Sequence, residues 1–163
     1  MTKQKSPATT DLSDAHPGLV RHAESIFSDY GGRFAFSGPV ETLRVPDDNS
    51  LVREAVEGEG RGRVLVVDGG GELSYALFGG NLGKLAEKNG WAGVVIHGCV
   101  RDTAELAECD IGIKALAAHP KRSEKRGLGE KNVALRLAGL TLAPGEWLYA
   151  DEDGMIVSAQ KLD

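Results

Sequence analysis

Gly79-Gly-Asn-Leu-Gly-Lys-Leu-Ala-Glu-Lys-Asn-Gly-Trp-Ala-Gly-Val-Val-Ile-His-Gly-Cys-Val-Arg-Asp102 is the stretch on which the fold turns. It opens with the glycine turn Gly79-Gly80-Asn81-Leu82. Apolar residues at helical spacing run from about Asn81 to Lys88, and an apolar strand follows over 93–98. Just before the turn, Tyr75-Ala-Leu-Phe78 reads as a short strand. Strand, glycine turn, helix, strand is a parallel crossover unit, since parallel neighbours need a long connection. In open α/β sheets ligands collect outside the carboxyl ends of such strands. At that end stand the glycine turn and the pair Arg101-Asp102.

Moving toward the N-terminus, Arg63-Val-Leu-Val-Val-Asp68 is a continuous apolar run, the mark of a strand buried on both faces, and Gly69-Gly70-Gly71 turns it sharply. Asp47-Asp48-Asn49-Ser50 is a capping cluster that starts a helix carrying Leu51, Val52, Ala55 and Val56. Phe34 to Val45 reads as one or two strands around Gly38-Pro39. Leu12, Leu19-Val20, Ala23 and Ile26-Phe27 suit helical packing with a break at Pro17, with Ser13 or Asp14 as a cap and an end at Gly31-Gly32. Residues 1–10 are polar and read as a frayed tail.

Toward the C-terminus, Thr103 to Glu108 reads as a short helix and Ile111 to Ala117 as a strand. After Gly127 the pattern changes to short alternating runs, at 133–137, 140–142, 147–149 and 155–158. Pro144-Gly145 and Asp151-Glu-Asp-Gly154 lie between them, so antiparallel strands joined by turns are expected. No repeat or linker divides the chain. Residues 11–163 therefore read as a single α/β domain with a mixed sheet and antiparallel C-terminal strands.

The 163 residues, 41% hydrophobic and 26% charged, have the size and composition of one soluble domain. A formal charge of -5 gives no basic field for nucleic acid, whose binding draws on phosphate neutralisation. The short basic run Lys121-Arg-Ser-Glu-Lys-Arg126 contains its own counter-charge and reads as a solvated loop. Cys99 and Cys109 have neither zinc spacing nor disulfide density, which fits a reducing setting. No apolar run approaches the ~20 residues of a bilayer span, and the polar start precedes no signal core, so a cytoplasmic location is expected.

Arg101 offers a planar fork of donors matched to a carboxylate, and Asp102 offers oxygen ligands to a hard divalent ion. If both are extended they point to opposite sides of the chain. The plain alternative is a salt bridge, or Asp102 capping the helix at Thr103. Free amides at the helix start after Gly79-Gly80 bind carboxylate or phosphate. The turn Gly69-Gly70-Gly71 lacks the G-x-G-x-x-G spacing of a dinucleotide site. None of His16, His22, His97 and His119 forms an i, i+4 metal pair or a nucleophile triad. His97 reads as a packed strand residue. Cys99, two residues from Arg101, reads as a buried inert thiol rather than one activated by that charge.

Taken together the motifs resemble the regulator of ribonuclease activity A family, which also contains the 4-hydroxy-4-methyl-2-oxoglutarate aldolases. The residues that carry the resemblance run from about Asp11 to Val157. They are Asp11-Leu-Ser-Asp14, Gly31-Gly-Arg33, Asp48-Asn49, Arg63-Val-Leu-Val-Val-Asp-Gly-Gly-Gly71, Gly79-Gly-Asn-Leu82, Gly98-Cys-Val-Arg-Asp102, Asp110-Ile-Gly-Ile113 and Tyr149-Ala-Asp-Glu-Asp-Gly154. The resemblance implies a swivelling β/β/α fold in a trimeric ring, a homotrimer or a hexamer of two rings, with sites near subunit boundaries.

For the aldolase members the resemblance implies that Gly79, Gly80, Asn81, Leu82 and Arg101 bind the pyruvyl substrate. Asp102 would ligate a divalent cation, Mg²⁺ or Mn²⁺, and Arg101 and Asp102 would be the catalytic pair. The implied reaction is cleavage of 4-hydroxy-4-methyl-2-oxoglutarate-type acids to pyruvate, with oxaloacetate decarboxylation at the same site. A bound cation acts there as the electron sink. Family members that inhibit ribonuclease without aldolase activity can lack the aspartate after the motif arginine, and Asp102 is present here. In some aldolases an acid inside the glycine turn orders metal waters. Here Gly80 and Asn81 stand instead, so water or another subunit must complete the shell. The alternative implied function is a regulator that inhibits the RNA-degrading endonuclease ribonuclease E by protein–protein binding. A menaquinone methyltransferase, suggested by Gly69-Gly70-Gly71 alone, ranks last.

Overall fold

A computed structural model describes residues 5–163, and its centre is a run of parallel strands. β3 (Phe36–Arg44), β4 (Val64–Asp68), β6 (Gly93–Val100) and β7 (Gly112–Ala118) lie side by side in that order. Val64, Leu65, Val66 and Val67 of β4 are all fully buried because both faces of the sheet are covered. Leu65 and Val67 pack with Val52 and Val56 of α2 (Ser50–Glu57), Leu82 and Ala86 of α3 (Gly80–Lys88) and Leu106 of α4 (Thr103–Ala107). Val64 and Val66 face the other way, onto Leu135 and Leu137 of β9 (Leu135–Leu137) and Leu140 and Leu142 of β10 (Leu140–Leu142). β6 repeats the alternation, with Val94 and Ile96 on the helix side and Val95 on the other. The layers are thus helices, a large mixed sheet and a small antiparallel sheet, as the α/β reading expects.

Antiparallel strands flank this centre. β11 (Trp147–Asp151), β12 (Gly154–Ser158) and β1 (Val20–His22) extend the sheet beyond β3, β8 (Glu130–Lys131) pairs with the last residues of β3, and β2 (Ser28–Asp29) pairs with β7 at the far edge. β3 is one strand across Gly38-Pro39. Its first part pairs with β11 as far as Pro39↔Trp147, and its second pairs with β4 from Val40↔Val64.

The N-terminal segment departs from expectation. α1 covers only Thr9–Ala15, and its N-cap is Ala8 rather than Ser13 or Asp14. After Pro17 the chain forms β1 and β2. The apolar spacing there is too short to separate a helical from a strand period, and pairing with Ile156–Ser158 and Lys114–Ala115 decides it. The polar tail also ends sooner than residue 10. Thr9 is buried, and its amide and hydroxyl donate to the Asp151 carboxylate at 2.8 and 2.7 Å. Residues 1–4 of that expected tail lie outside the described residues. Among the described residues, no helix is long and apolar enough to cross a membrane.

One detail of the sheet positions the candidate site. β4 accompanies β6 only to the pair Asp68↔His97, and then the chain turns away at Gly69–Gly71. β5 (Ala76–Phe78) takes its place beside the last residues of β6, pairing Ala76↔Cys99 and Phe78↔Val100 in parallel. The residues that follow, Gly79 on one strand and Arg101-Asp102 on the other, therefore leave the sheet side by side.

Candidate functional site

Asp102 does not continue the strand. Its backbone takes the left-handed conformation, φ 58° and ψ 47°, so Arg101 and Asp102 are not on opposite sides of an extended chain. Aspartate tolerates that region better than most side chains. The turn brings the Asp102 carboxylate back to β5, where Oδ2 accepts the Gly80 N–H at 2.9 Å. Asp102 occupies the N-cap position of α4 yet makes no side-chain cap there. It caps α3 instead, where a carboxylate meets the positive end of the helix.

The glycines of the turn make this approach possible. A side chain at Gly79 would begin 2.8 Å from Asp102 Oδ2 and 3.2 Å from Arg101 Cγ. At Gly80 it would collide with the Glu105 carboxylate, which packs there from α4. The place of an acid inside the turn is thus taken by an acid from the neighbouring helix. Glu105 escaped the sequence reading, although its spacing three residues after Asp102 was a readable signal. With Gly80 N–H committed to Asp102 and the Gly83 N–H to the Gly79 carbonyl, the amides of Asn81 and Leu82 are left without a partner among the described residues. Arg101 is half-buried and pairs with no carboxylate among them, so the salt bridge allowed by its sequence position does not form.

These groups line a cleft of about 80 Å³, on which Arg53, Arg101, Arg122 and Lys125 also converge. The cleft is cationic although the chain carries a formal charge of -5. Its size is well below the ~300–1,000 Å³ of sites for drug-sized ligands, so it suits a small acid. A larger groove of about 610 Å³, lined by Arg33, Arg61, Trp147 and Lys161, lies elsewhere. Three of its cations are engaged: Arg33 with Asp110, Arg61 with Glu59, and Lys161 over the Trp147 ring. Unengaged donors favour the smaller cleft as the candidate.

The run 121–126 is the solvated loop the sequence suggests at every residue but Ser123, which is buried, and it is tethered. Asp48, fully buried, anchors it: Oδ1 accepts the Ser50 N–H at 2.9 Å and Oδ2 accepts the Arg126 N–H. Burial pushes the Asp48 carboxyl up, but bonds from Ser50, Arg126 and Leu128 together outweigh it and hold the group below its ordinary value. The Lys121 carbonyl accepts the Ala76 N–H at 2.8 Å, which lays the run against β5. Sequence reading missed Arg53, Arg122, Ser123 and Lys125 as cleft residues, because their place is set by this tether and not by any local motif.

Does the corner suit a divalent cation? Asp102 Oδ1 is bound by no described residue, and a second carboxylate, Glu105, flanks Gly80. Among the described residues no group of three or more His, Cys, Asp or Glu gathers anywhere. One or two carboxylates suffice for a hard ion such as Mg²⁺, which keeps most of its waters. The donor set therefore fits a water-completed site rather than a protein cage.

The other sequence candidates serve structure. His97 Nδ1 lies 3.3 Å from Asp68 Oδ1, and that hydrogen bond holds the Asp68 carboxyl low. Cys99 and Cys109 are buried, and burial raises both thiols above their ordinary value, so neither is activated. Gly69–Gly71 leads into β5 and not into a helix, so the strand–turn–helix that cradles a dinucleotide is missing.

A family model described as RraA-like, Aldolase/RraA, matches residues 9–157. The chain belongs to the RraA-like family. Over 160 residues this RraA-like chain is 58% identical to a Burkholderia multivorans protein named "Putative 4-hydroxy-4-methyl-2-oxoglutarate aldolase", covering 95% of this chain and 98% of the relative. Among solved structures it is similar to the RNA-processing inhibitor RraA from Thermus thermophilis, with a TM-score of 0.93 and 52% identity over 96% of this chain and 95% of that one. It is equally similar in shape to a Geobacillus kaustophilus protein named S-adenosylmethionine: 2-dimethylmenaquinone methyltransferase, with a TM-score of 0.94, 44% identity, and 96% and 97% coverage. One RraA-like backbone thus carries three different names, and only the residues in the cleft can choose among them.

Proposed function

We propose that this chain is a divalent-metal-dependent lyase that cleaves 4-hydroxy-4-methyl-2-oxoglutarate-type acids to pyruvate and decarboxylates oxaloacetate at the same site. One observation carries the reading: two α3 amides without a partner among the described residues, an Arg101 that pairs there with no carboxylate and the Asp102 carboxylate meet in one small cationic cleft. The name of the Burkholderia relative supports it.

The Asn81 and Leu82 amides and the Arg101 fork hold the C1 carboxylate and 2-oxo group of the substrate, a planar match for the guanidinium. Gly79 leaves room for the carboxylate of Asp102, and the Gly80 N–H fixes its orientation. Mg²⁺ or Mn²⁺ on Asp102, with Glu105 alongside, supplies Lewis-acid polarisation of the 2-oxo group when bound. Retro-aldol cleavage and oxaloacetate decarboxylation both break the bond between C3 and C4 and leave the pair of electrons on C3, delocalised toward the 2-oxo oxygen; in the first the C4 hydroxyl loses its proton to solvent as C4 becomes a carbonyl, in the second C4 leaves as CO₂, and in both a proton from solvent adds at C3 to complete pyruvate. Donors already fixed around that oxygen stabilise the developing charge without reorganising.

The test is a coupled pyruvate-release assay with Mg²⁺. Chelator-sensitive release from a 4-hydroxy-2-oxo acid is expected, and its absence in the folded wild type would sink the proposal. A homotrimer or hexamer in the cytoplasm accompanies this reading.

A second reading has one observation in its favour, the 52% identity to a protein named an RNA-processing inhibitor. In it the chain binds ribonuclease E through its outer surface and lowers RNA cleavage. Unaltered cleavage at saturating protein, with no capture in a pull-down, counts against it.

A further inference from the structure

Two polar atoms of the cleft are left over once Arg101 and the α3 amides hold the pyruvyl end of a substrate. Ser123 is 4% exposed and lines the cleft, yet its Oγ has no hydrogen-bond partner among the described residues. Asn49 also lines it, and its Oδ1 is a second buried atom without a partner there. Asn49 stands at the N-cap position of α2 but makes no side-chain cap, and the Ser50 N–H goes to Asp48 Oδ1 instead. Its amide is thus free of the role asparagine commonly has at a helix start. The Asn49 N–H donates to the Glu124 carbonyl at 3.1 Å, and Asp48 forms a parallel bridge with Glu124. The backbone therefore ties the two orphaned groups to adjoining positions. Buried polar atoms are almost always satisfied, so two of them in one built cleft mark the place of a ligand atom.

The chemistry of the pair narrows that atom. An amide oxygen only accepts, whereas a hydroxyl both donates and accepts. A carboxylate has no hydrogen to give Asn49 Oδ1. An alcohol satisfies both groups, donating to Asn49 Oδ1 and accepting from Ser123 Oγ. We infer that Asn49 and Ser123 receive the C4 hydroxyl of a 4-hydroxy-2-oxo acid, and that this contact sets the preference of the site for retro-aldol cleavage over oxaloacetate decarboxylation. This rests on the lyase reading above. Both are positioning residues, and neither takes the proton, which leaves for solvent as C4 becomes a carbonyl. With the 2-oxo group held at one end and the C4 oxygen at the other, rotation about C2–C3 is fixed. The C3–C4 bond then stands across the plane of the 2-oxo group, where its electron pair delocalises as the bond breaks. Oxaloacetate has a carboxylate at C4 and leaves Asn49 Oδ1 without a donor. A site built to bond a hydroxyl discriminates strongly against the acid that lacks it.

The contact is read as a ratio of two kcat/KM values, for 4-hydroxy-4-methyl-2-oxoglutarate and for oxaloacetate, each with Mg²⁺ and after subtraction of the uncatalysed rate. Asn49→Leu keeps the bulk of the side chain and removes the acceptor. It should lower retro-aldol cleavage at least about tenfold and decarboxylation by no more than about threefold. Ser123→Ala should shift the ratio in the same direction. Asn49→Asp, which keeps an acceptor oxygen, should hold the ratio within about threefold of wild type. A merely structural role would lower both reactions together, and circular dichroism checks that each variant is folded. Equal loss of both reactions in Asn49→Leu and Ser123→Ala, or an unchanged ratio in both, would overturn the inference and leave the lyase reading standing. A folded wild type that releases pyruvate from neither acid would remove the lyase reading and this inference with it.

Discussion

Asp102 holds a left-handed backbone at φ 58°, which costs an L-residue about 1–2 kcal/mol, and its carboxylate returns part of that by capping α3. Function and stability can therefore be separated at this residue. Asp102→Gly relieves the backbone and removes the carboxylate, so the unfolding free energy should move by no more than about 1 kcal/mol. Pyruvate release should fall by roughly a hundredfold or more. Parallel measurement of urea unfolding and of turnover checks this, and a large loss of stability would mean that Asp102 is chiefly structural. Gly79→Ala acts on the same contact from the other side. The new methyl would start 2.8 Å from Asp102 Oδ2, and a displacement of this order should cost about a hundredfold in kcat/KM while the fold persists. Arg101, Asp102 and the glycine turn were legible in the sequence because they end consecutive parallel strands. Which way Asp102 points was not, since a left-handed aspartate has no local signature.

At the scale of elements, the segment 121–128 belongs to the cleft through contacts that span 78 positions of the chain, from Asp48 to Arg126. No pattern within Lys121–Arg126 announces that, which is why it reads as a solvated run until Asp48 is seen beneath it. Asp48→Asn leaves a less satisfied tether and should destabilise by about 1–3 kcal/mol. The pH dependence has a definite sign. The Asp48 carboxyl is lower in the folded state than in the unfolded chain, so its contribution is present above the ordinary carboxylate value near ~3.9 and is lost as pH falls through the lower folded value. Asp68, held low by its bond to His97, and Asp151, where burial is outweighed by bonds from Thr9 and Asp153 together with the Lys114 charge, add to the same acid-side loss. Urea midpoints measured from pH 7 down to pH 2 should show a shallower decline for Asp48→Asn than for wild type. Equal slopes would contradict the tether.

Over the whole molecule, the continuous apolar run Arg63–Asp68, which reads as a strand buried on both faces, made the layered sheet legible, as did the short alternating strands after residue 127; the structure divides that run between two hydrophobic clusters. The segment after Pro17 was not, because its partner strands β12 and β7 come from distant parts of the chain. Assembly lies further still from what one sequence encodes visibly. The homotrimer proposed here should sediment as three 17.3 kDa chains, or as two such rings. Sedimentation velocity at assay concentrations checks it, and a stable active monomer would rule out a site that depends on a subunit boundary. The net charge of -5 surrounds a cationic cleft, so the field that draws in a small acid is local and should weaken as salt is added.

In the proposed function the corner formed by Gly79–Leu82, Arg101 and Asp102 performs metal-dependent cleavage next to a 2-oxo group. The most direct measurement is pyruvate release from 4-hydroxy-4-methyl-2-oxoglutarate by wild type and Asp102→Asn, each with Mg²⁺ and again with chelator. Asparagine keeps the size of aspartate and its tolerance of the left-handed backbone. Wild type should release pyruvate, chelator should abolish that release and Mg²⁺ restore it, and Asp102→Asn should be folded but inactive. Release that ignores chelator, or full activity in Asp102→Asn, would contradict it.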